Sequence, residues 1–432
     1  MKALPSLALG LLLLTAACAP RPVAPTPAPP PPPMPAPPVP PPLPPLPAMG
    51  GDEAFQAFIR DFEPTAVAAG ITPETYNKAM ACIAPVPALQ QVIDNQPEFA
   101  RPIWAYLDTA VSPRRVASAQ AMLARYGDVL SGIETRTGIP KEILVAIWGM
   151  ETDYGATIGG YNLFATLATQ AWAGPRQQYA TRELLDALKL LQQENYPVAE
   201  MTASWAGAFG QTQFMPSTFF RYATDGDGDG KIDLWSSAPD ALASTATLFA
   251  HEGWQAGKPW FTLVTLPKDF DLSLCDLDAL RPLSDWAAMG VKTQVGGELP
   301  AGDDQASIYL PAGARGPAFL LYENFREIMK YNNAAAYALA VGLLADRMKA
   351  DPPVLKWPRD ERALSRDERA QFQNDLKTLG YDPGDADGVL GRKTRIALKL
   401  YQKSKNLPAD GFPTAALLAA LNSDASAKAS VN

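Results

Sequence analysis

The feature that most limits how this chain can fold is a proline tract over residues 20–50, PRPVAPTPAPPPPPMPAPPVPPPLPPLPAMG. Proline has no backbone N–H and a fixed φ angle, so such a segment completes neither a helix nor the interior of a sheet. Proline-rich chains instead adopt an extended left-handed helix and act as semi-rigid spacers. We therefore expect residues 19–50 to be a linker and globular structure to begin at residue 51. A ligand for a proline-binding domain is the alternative.

The segment before the tract, residues 1–18, reads MKALPSLALGLLLLTAAC. A basic Lys2, an apolar stretch and small residues are typical of a secretory signal, and the apolar stretch is too short to span a membrane. Because it ends at Cys18, it resembles a bacterial lipoprotein signal. That resemblance implies a lipidated Cys18, a periplasmic protein and a membrane anchor, and Ala19 favours the outer membrane. Thr15 stands where leucine is usual, so an ordinary signal peptide is the alternative.

Composition excludes several classes of function. The formal net charge is -8, which argues against a nucleic-acid partner because phosphate binding needs a basic surface. His251 is the one histidine in the sequence, which leaves little room for a histidine-rich zinc site or a Ser-His-Asp triad. Its context, FAHEGW, contains no nucleophile, so we expect a structural role.

Hydrophobic periodicity predicts a mainly α fold. Residues 51–349 repeat apolar positions at helical spacing, and only WFTLVTL and ASIYLPAG have the character of strands, which predicts a small β element. A polar break at 350–363 indicates a linker, residues 364–423 a compact three-helix unit, and 424–432 a frayed tail. The faces predicted for the three helices are Phe372, Leu376 and Leu379; Ile396, Ala397, Leu400 and Tyr401; and Leu417, Leu418 and Leu421.

The stretch GMETDYG, residues 149–155, follows the apolar run EILVAIW. Pro140 suits a first helical turn, which predicts a helix from Pro140 to about Glu151. One face then carries Leu144, Ile147, Trp148 and Glu151. Burial and the negative end of the helix dipole both favour a protonated carboxyl there, as a general acid requires. An exposed helix-end glutamate is the alternative, and Asp153 is a poor second carboxylate because it lies on the opposite side.

Two further stretches and two cysteines carry possible chemistry. In SWAGAFGQTQFMPSTF, residues 204–219, small residues allow close approach of a ligand, glutamines offer donors and acceptors, and Phe214 offers a stacking face. A small-residue helix contact is the alternative.

In DGDGDGKIDLWS, Asp225, Asp227 and Asp229 occupy positions 1, 3 and 5 of a calcium loop, with Ser236 at position 12.

Because position 12 normally carries a glutamate, a calcium site and an acidic surface turn both remain open. Asp233 at position 9 is a further possible ligand. Cys82 and Cys275 allow one disulfide in an oxidising periplasm, with two buried thiols as the alternative.

Four motifs in order resemble those of the B-type membrane-bound lytic murein transglycosylases: IWGMETDYG, SWAGAFGQTQFMPS, the Asp/Gly loop and ENFREIMKYNNAAAYALAVGLLADRM. The similarity spans nearly all of residues 52–349 and implies a lysozyme-like fold. The C-terminal DGVLG, TRIAL and YQ elements resemble a three-helix peptidoglycan-binding domain, with Tyr401 where phenylalanine is usual.

The resemblance implies roles for individual residues. Glu151 is the single catalytic acid/base, while the residues implied to orient it or to bind substrate are Ser204, Gln213, Tyr331, Asn332 and Tyr337, together with Gln211 at a position that varies in the family. Two departures are Asn333, where serine is frequent, and Phe249, where tyrosine is frequent and a hydroxyl is lost. Ser236 is a third departure, because family members that bind calcium are acidic at that position.

The implied reaction cleaves peptidoglycan between N-acetylmuramic acid and N-acetylglucosamine without water and requires no cofactor. Glu151 first acts as acid and then as base, while the muramic C6 hydroxyl closes a 1,6-anhydro ring. A hydrolytic muramidase that uses water, and a non-catalytic wall-binding lipoprotein, are the alternatives.

Overall fold

The computed structural model describes residues 51–86, 101–349 and 355–430, all of which belong to one compact unit. The predicted signal, Cys18, the proline linker and the first residues of the second linker lie outside these ranges. Within them, every helix is too short or too polar to cross a bilayer.

Helices form most of the first two hundred described residues. They are α1 Gly51–Ala68, α2 Pro73–Met80, α3 Ile103–Ala110, α4 Pro113–Arg125, α5 Gly127–Thr137, α6 Lys141–Thr152, α7 Leu163–Ala173, α8 Gln177–Glu194, α9 Pro216–Tyr222 and α10 Ala238–Glu252. Several begin at a side-chain cap, as at Ser112 and Asn162, whose oxygens accept a backbone N–H. The predicted helix of residues 140–151 is confirmed as α6, with Pro140 just before its first turn.

Helix α6 lies at the centre of this bundle. Its residues Leu144, Val145, Ala146 and Ile147 are fully buried, so the helix is surrounded on all sides and not on one face alone. A helix that is apolar all round belongs in the core. Its main neighbour is α13, Ala335–Lys349, which follows α12, Glu323–Tyr331. These two helices bring a distant part of the sequence to the end of α6.

A five-stranded antiparallel sheet lies between α10 and α12 in the chain. Its strands are β3 Phe261–Thr265, β4 Arg281–Pro282, β5 Lys292–Thr293, β6 Gln305–Tyr309 and β7 Ala318–Leu321, in the order β4-β6-β7-β3-β5. Helix α11, Leu283–Ala288, follows β4, and β1 Tyr161–Asn162 pairs with β2 Thr202–Ala203 elsewhere. The two predicted strands are confirmed as β3 and β6, and the mainly α fold with a small β element is confirmed.

The C-terminal unit contains three helices, α14 Arg366–Leu379, α15 Arg392–Ser404 and α16 Ala415–Ala429. Phe372, Leu376, Tyr401 and Leu421 form its core, as predicted. Two details differ from expectation. The side chains of Ile396 and Leu400 are 40% and 54% exposed, because α15 turns Ala397, Leu398 and Tyr401 inward. The predicted tail is helical through Ala429, because Ala425 packs into the unit.

Candidate active site

Glu151 lies in the last turn of α6, at the point where the chain reverses. Asp153, Tyr154 and Gly155 follow with φ angles of 50°, 64° and 84°, all left-handed. Non-glycine residues in that region cost on the order of 1–3 kcal/mol each, and such strain is typical of functional sites. Gly149 is needed here, since a Cβ on it would lie 2.6 Å from the Tyr154 ring. The turn leaves Glu151 half-buried at the end of an otherwise buried helix.

Tyr337 contacts Glu151 directly. Its hydroxyl donates a hydrogen bond to Oε1 of Glu151 across 2.5 Å, and its ring is 4% exposed. Burial, followed by the nearby charge of Glu151, raises the pKa of Tyr337 well above its ordinary value. Tyr337 therefore stays protonated and remains a donor. Tyr337 of α13 thus lies beside Glu151 of α6, and its predicted role in substrate binding remains a prediction.

Tyr331 lies near the same carboxylate. Its hydroxyl donates to the carbonyl oxygen of Thr212, and its ring stacks on Phe249 at 5.8 Å with an interplanar angle of 11°. Burial and then the charge of Glu151 raise its pKa. Phe249 is fully buried, so the residue that replaces a tyrosine serves to support Tyr331. Asn332 follows at the end of α12, half-buried, and its carbonyl accepts the N–H of Ala334.

The 204–214 segment folds against the end of α6. Phe209 and Phe214 exchange two backbone hydrogen bonds of 2.8 Å, which close a small loop. Ser204 is half-buried, and its backbone N–H donates to Ala208. Gln213 has a φ of 55°, and its side-chain amide donates to the carbonyls of Ile158 and Gly210. The predicted role of Ser204 and Gln213 in orienting Glu151 or substrate remains a prediction.

The structure differs from expectation for Phe214 and Gln211. The Phe214 ring is 2% exposed because it packs beside Tyr331, so it offers no open face for stacking on a sugar. Gln211 is 6% exposed and its side chain fills the space over Gly155, where a Cβ would lie 2.7 Å from Oε1 of Gln211. Both side chains are therefore buried behind the surface of the site and support its wall.

Thr152 is a residue that sequence reasoning missed. It is fully buried; its hydroxyl donates to the carbonyl of Gln211 across 2.5 Å and accepts the N–H of Gly155 at 3.0 Å. These bonds fasten the residue next to Glu151 to the 204–214 segment. The signal available in the sequence was a threonine inside the helix end, where its hydroxyl satisfies backbone groups that the helix leaves unpaired.

Asp153 faces two arginines of α4. Its carboxylate lies 3.4 Å from Arg114 and 3.9 Å from Arg115. Tyr154 fixes the same region, since its hydroxyl donates to the carbonyl of Arg115 at 3.0 Å. The arrangement agrees with the sequence interpretation of Asp153 as a poor second carboxylate.

The acidic loop brings its three predicted ligands together. One carboxylate oxygen from each of Asp225, Asp227 and Asp229 lies within 4.8 Å of the others. Asp225 accepts the N–H groups of Gly228 at 2.6 Å and Gly230 at 2.9 Å, and these bonds lower its pKa. A calcium ion takes six to eight oxygens, so three carboxylates meet only part of its requirement.

Positions 9 and 12 of the loop pair with each other. The hydroxyl of Ser236 donates to Asp233, whose other oxygen accepts the N–H groups of Trp235 and Ser236. The oxygen donors therefore meet calcium's requirement only in part. Position 12 carries Ser236 in place of the bidentate glutamate, and the hydroxyl of Ser236 bonds to Asp233 within the loop. Asp240 was missed from the sequence: it is 1% exposed and accepts the N–H groups of Gly226 and Asp233, which joins both halves of the loop to α10.

Comparison with known proteins decides the family. The family described as Transglycosylase SLT domain matches residues 54–346, and a peptidoglycan binding domain family matches residues 365–421. The chain belongs to the SLT transglycosylase family. Membrane-bound lytic murein transglycosylase B of Escherichia coli K12 is 31% identical over 244 residues, which is 55% of this chain and 64% of that protein. The chain thus matches under two thirds of that relative.

Solved structures of the family align over more of the chain. SltB3 from Pseudomonas aeruginosa, in complex with NAG-anhNAM-pentapeptide, is 47% identical and covers 85% of this chain and 99% of its own, with a TM-score of 0.81. Slt35 from Escherichia coli, in complex with calcium, is 27% identical and covers 69% of this chain and 93% of its own, with a TM-score of 0.60. The 85% of this chain that SltB3 covers is longer than the catalytic region, so the likeness to SltB3 extends into the C-terminal unit.

In this SLT transglycosylase, the C-terminal unit and the residues before it contact the catalytic region. Arg359 forms a bidentate pair with Asp108 at 2.7 and 2.8 Å, and Trp357 lies 6.4 Å from Trp104 between ring centres. Lys399 of α15 is 7% exposed, and its ammonium donates to the carbonyl of Cys275. The described part of the predicted linker is therefore packed against the catalytic region.

Of the two alternatives left open for Cys82 and Cys275, the disulfide is absent from the structure. Cys82 and Cys275 are both free thiols. Cys275 belongs to the core beneath the sheet, whereas Cys82 is exposed in the turn after α2, so the alternative of two buried thiols is also wrong for Cys82. Burial raises the pKa of the Cys275 thiol to about 12.

Proposed function

We propose that this protein is a lytic murein transglycosylase that cleaves the β-1,4 bond between N-acetylmuramic acid and N-acetylglucosamine and forms 1,6-anhydromuramic ends. The observation that carries the proposal is the carboxyl of Glu151, presented at the end of a buried helix and held by Tyr337. Complexes of SltB3 with NAG-anhNAM-pentapeptide and NAG-NAM-pentapeptide support it, since the anhydro sugar is the product of such a reaction.

The reaction needs one carboxyl because the substrate carries its own nucleophile. Protonated Glu151 gives its proton to the glycosidic oxygen, and the bond from that oxygen to the anomeric carbon breaks. The C6 hydroxyl of the same muramic ring then forms a bond to the anomeric carbon, while its proton passes to the Glu151 carboxylate. An intramolecular nucleophile of this kind reaches effective molarities of roughly 10⁵–10⁸ M, so neither water nor a second carboxylate is required.

Tyr337 stabilises the carboxylate between these two proton transfers. A hydrogen bond to a charged acceptor is stronger than one to a neutral acceptor, so the contact of Tyr337 with Oε1 favours the state in which Glu151 has lost its proton. The same bond fixes the direction of the carboxyl. Thr152 and its bond to Gln211 hold the backbone beside it.

The test is mass spectrometry of the muropeptides released from purified peptidoglycan by a soluble form that starts after the proline linker. We expect 1,6-anhydro products. Reducing ends would identify the hydrolytic muramidase instead.

Glu151→Gln should lower turnover on the order of 10²–10⁴-fold, whereas the matched control Asp153→Asn should retain most activity. Unchanged turnover of Glu151→Gln would rule out the mechanism, whereas absence of any released product from the unaltered protein would leave a non-catalytic wall-binding lipoprotein.

The second part of the proposal concerns the compartment in which the protein acts and the way it is anchored there. The SLT and peptidoglycan-binding matches support action in the periplasm, and the signal that ends at Cys18 supports a lipid anchor in the outer membrane. The proline linker would let the catalytic region reach the wall from that anchor. Metabolic labelling with a radioactive fatty acid tests the anchor: Cys18→Ala should abolish the label and release the protein from the membrane fraction. Persistent label in Cys18→Ala would contradict it.

The reaction is proposed to require no cofactor. Calcium is proposed only as a weakly bound ion that stabilises the structure of the loop at residues 225–236. Asp225, Asp227 and Asp229 would hold the ion and stiffen the loop. The loop connects to α10 through Asp240.

A further inference from the structure

Arg115, in the first turn of α4, connects the ends of three helices. Its guanidinium donates through Nη1 to the carbonyl of Ala110, the last residue of α3, at 3.2 Å. A carbonyl at a helix C-terminus has no partner within its own helix, and a cation is favoured there. The same nitrogen lies 3.5 Å from Sδ of Met150, the residue before Glu151 in α6. The Arg115 side chain is 19% exposed, so water replaces these contacts poorly.

The backbone of Arg115 holds the chain reversal at the end of α6. Its carbonyl accepts the hydroxyl of Tyr154 at 3.0 Å, and its N–H donates to the hydroxyl of Ser112, the cap of α4, at 3.4 Å. The Tyr154 ring packs edge-on against Trp148 at 5.7 Å. Asp153 lies 3.9 Å from Nε of Arg115, beyond hydrogen-bond distance, so the bonds to the guanidinium and the carbonyl of Arg115 fix the reversal more than this ion pair does.

This reversal needs support because its backbone is strained. Asp153 and Tyr154 have φ angles of 50° and 64°, in the left-handed region. Non-glycine residues rarely adopt that region, and they persist there only when the surrounding structure holds them. Glu151 precedes the first strained residue by two positions. Relaxation of the reversal would therefore move the Glu151 carboxyl.

The segment that contains Arg115 is also bonded to the helix that carries Tyr337. Arg347 of α13 donates through Nη1 to the carbonyl of Val111, between α3 and α4, at 3.0 Å. Residues 110–115 therefore contact both α6, which carries Glu151, and α13. The placement of these two helices determines whether the carboxyl and the tyrosine hydroxyl meet.

We infer that Arg115 is a positioning residue, which holds the end of α6 so that the Glu151 carboxyl meets the Tyr337 hydroxyl. The inference rests on the proposed function and adds a residue from α4 to the site. Arg115 acts through Met150 and Tyr154, on either side of Glu151, and not through the substrate. Its loss should therefore affect the chemical step and not substrate binding.

The experiment uses three variants of the soluble form that keeps residues 51–432, all of them within the compact unit. Arg115→Met keeps an unbranched apolar stem and removes every donor of the side chain. Arg115→Lys retains the charge and a donor for the Ala110 carbonyl. Arg114→Gln is the matched control, because Arg114 is the adjacent arginine and faces Asp153 at 3.4 Å with a side chain that is 63% exposed. Thermal unfolding of each variant identifies any loss of fold.

We expect Arg115→Met to lower kcat by about 10–100-fold and to leave KM nearly unchanged, because a small misplacement of a catalytic group costs on that order. Arg115→Lys should recover part of kcat, and Arg114→Gln should match the unaltered protein. An unchanged kcat of Arg115→Met would overturn the inference. So would a loss carried by KM alone, which would assign Arg115 to substrate binding.

A double variant distinguishes positioning from a general loss of stability. Once Tyr337→Phe has removed the bond to Glu151, the loss of Arg115 has no such contact left to disturb. We therefore expect Arg115→Met combined with Tyr337→Phe to have a kcat within about threefold of Tyr337→Phe alone. Losses that multiply in the double variant would show that the two residues act independently and would overturn the inference.

Tyr154→Phe provides the test if Arg115→Met does not fold. It removes one hydroxyl and with it the bond to the Arg115 carbonyl, so kcat should fall by about 2–10-fold at unchanged KM. An unchanged kcat of Tyr154→Phe would then overturn the inference. Either failure differs from failure of the proposed function, in which the unaltered protein itself would release no anhydro products.

Discussion

The Tyr337 hydroxyl and the Glu151 carboxylate are 2.5 Å apart, although 186 positions separate the two residues in the chain. The contact joins the last turn of α6 to the first turn of α13. Tyr337 is buried and Glu151 is half-buried, so water competes poorly for this bond from the side of Tyr337. A buried donor aimed at a catalytic carboxylate affects both its orientation and the stability of its charge.

Tyr337→Phe should therefore lower turnover without unfolding the protein. A hydrogen bond to a charged group contributes about 1.5–3 kcal/mol, which corresponds to roughly a 10–100-fold decrease in kcat. KM should change little, because the bond acts on the carboxyl and not on the substrate. The measurement is steady-state release of anhydro products. Tyr331→Phe is the control: it loses a bond to the Thr212 carbonyl, so equal effects of both variants would contradict a special role for Tyr337.

Thr152 offers a second prediction, on stability and activity together. Thr152→Val keeps the shape of the side chain but leaves the Gln211 carbonyl and the Gly155 N–H without their buried partner. We expect the free energy of unfolding to fall by about 1–3 kcal/mol and turnover to fall with it. Thr152→Ser retains the hydroxyl and should recover turnover. Urea unfolding and product release measure the two effects, and full activity of Thr152→Val would contradict the role of this bond in holding the site.

Local sequence patterns predicted the central helix and two of the strands. Helix α6 was predicted by an apolar run after Pro140, and β3 and β6 by β-branched and aromatic residues. Strand β7, with the sequence AFLL, was missed because all four residues are buried and show no alternation. A short apolar run of that kind does not distinguish a buried strand from a piece of helix.

Contacts between distant segments account for what the sequence did not predict at the site. The resemblance identified Glu151 and Tyr337, but their hydrogen bond depends on how α13 packs on α6. Phe214 and Gln211 were assigned to the substrate because their residue types suit sugars, whereas packing turned both inward. Residue type indicates what a side chain is able to do, while burial decides whether a substrate reaches it.

The acidic loop gives a prediction about calcium. Ser236→Glu restores a carboxylate at position 12 and should raise calcium affinity, because bidentate coordination at that position completes the loop. The measurement is the increase in Tm on addition of calcium chloride, which we expect to be larger in Ser236→Glu than in the unaltered protein. Asp229→Asn in the same variant is the control and should reduce the increase. An equal increase in Ser236→Glu and the unaltered protein would show that position 12 does not limit binding.

The two cysteines give a prediction about thiol reactivity. Cys82 is exposed, whereas burial raises the pKa of Cys275 to about 12, so at pH 8 the Cys275 thiol is protonated as well as inaccessible. Thiolate is the reactive form, and its fraction at Cys275 grows only as pH rises toward that value. A soluble form without Cys18 should therefore release one equivalent of chromophore from a disulfide reagent quickly, and a second only in denaturant. Cys82→Ser should remove the fast reaction. Absence of any reaction before reduction would contradict the prediction and indicate a disulfide between Cys82 and Cys275.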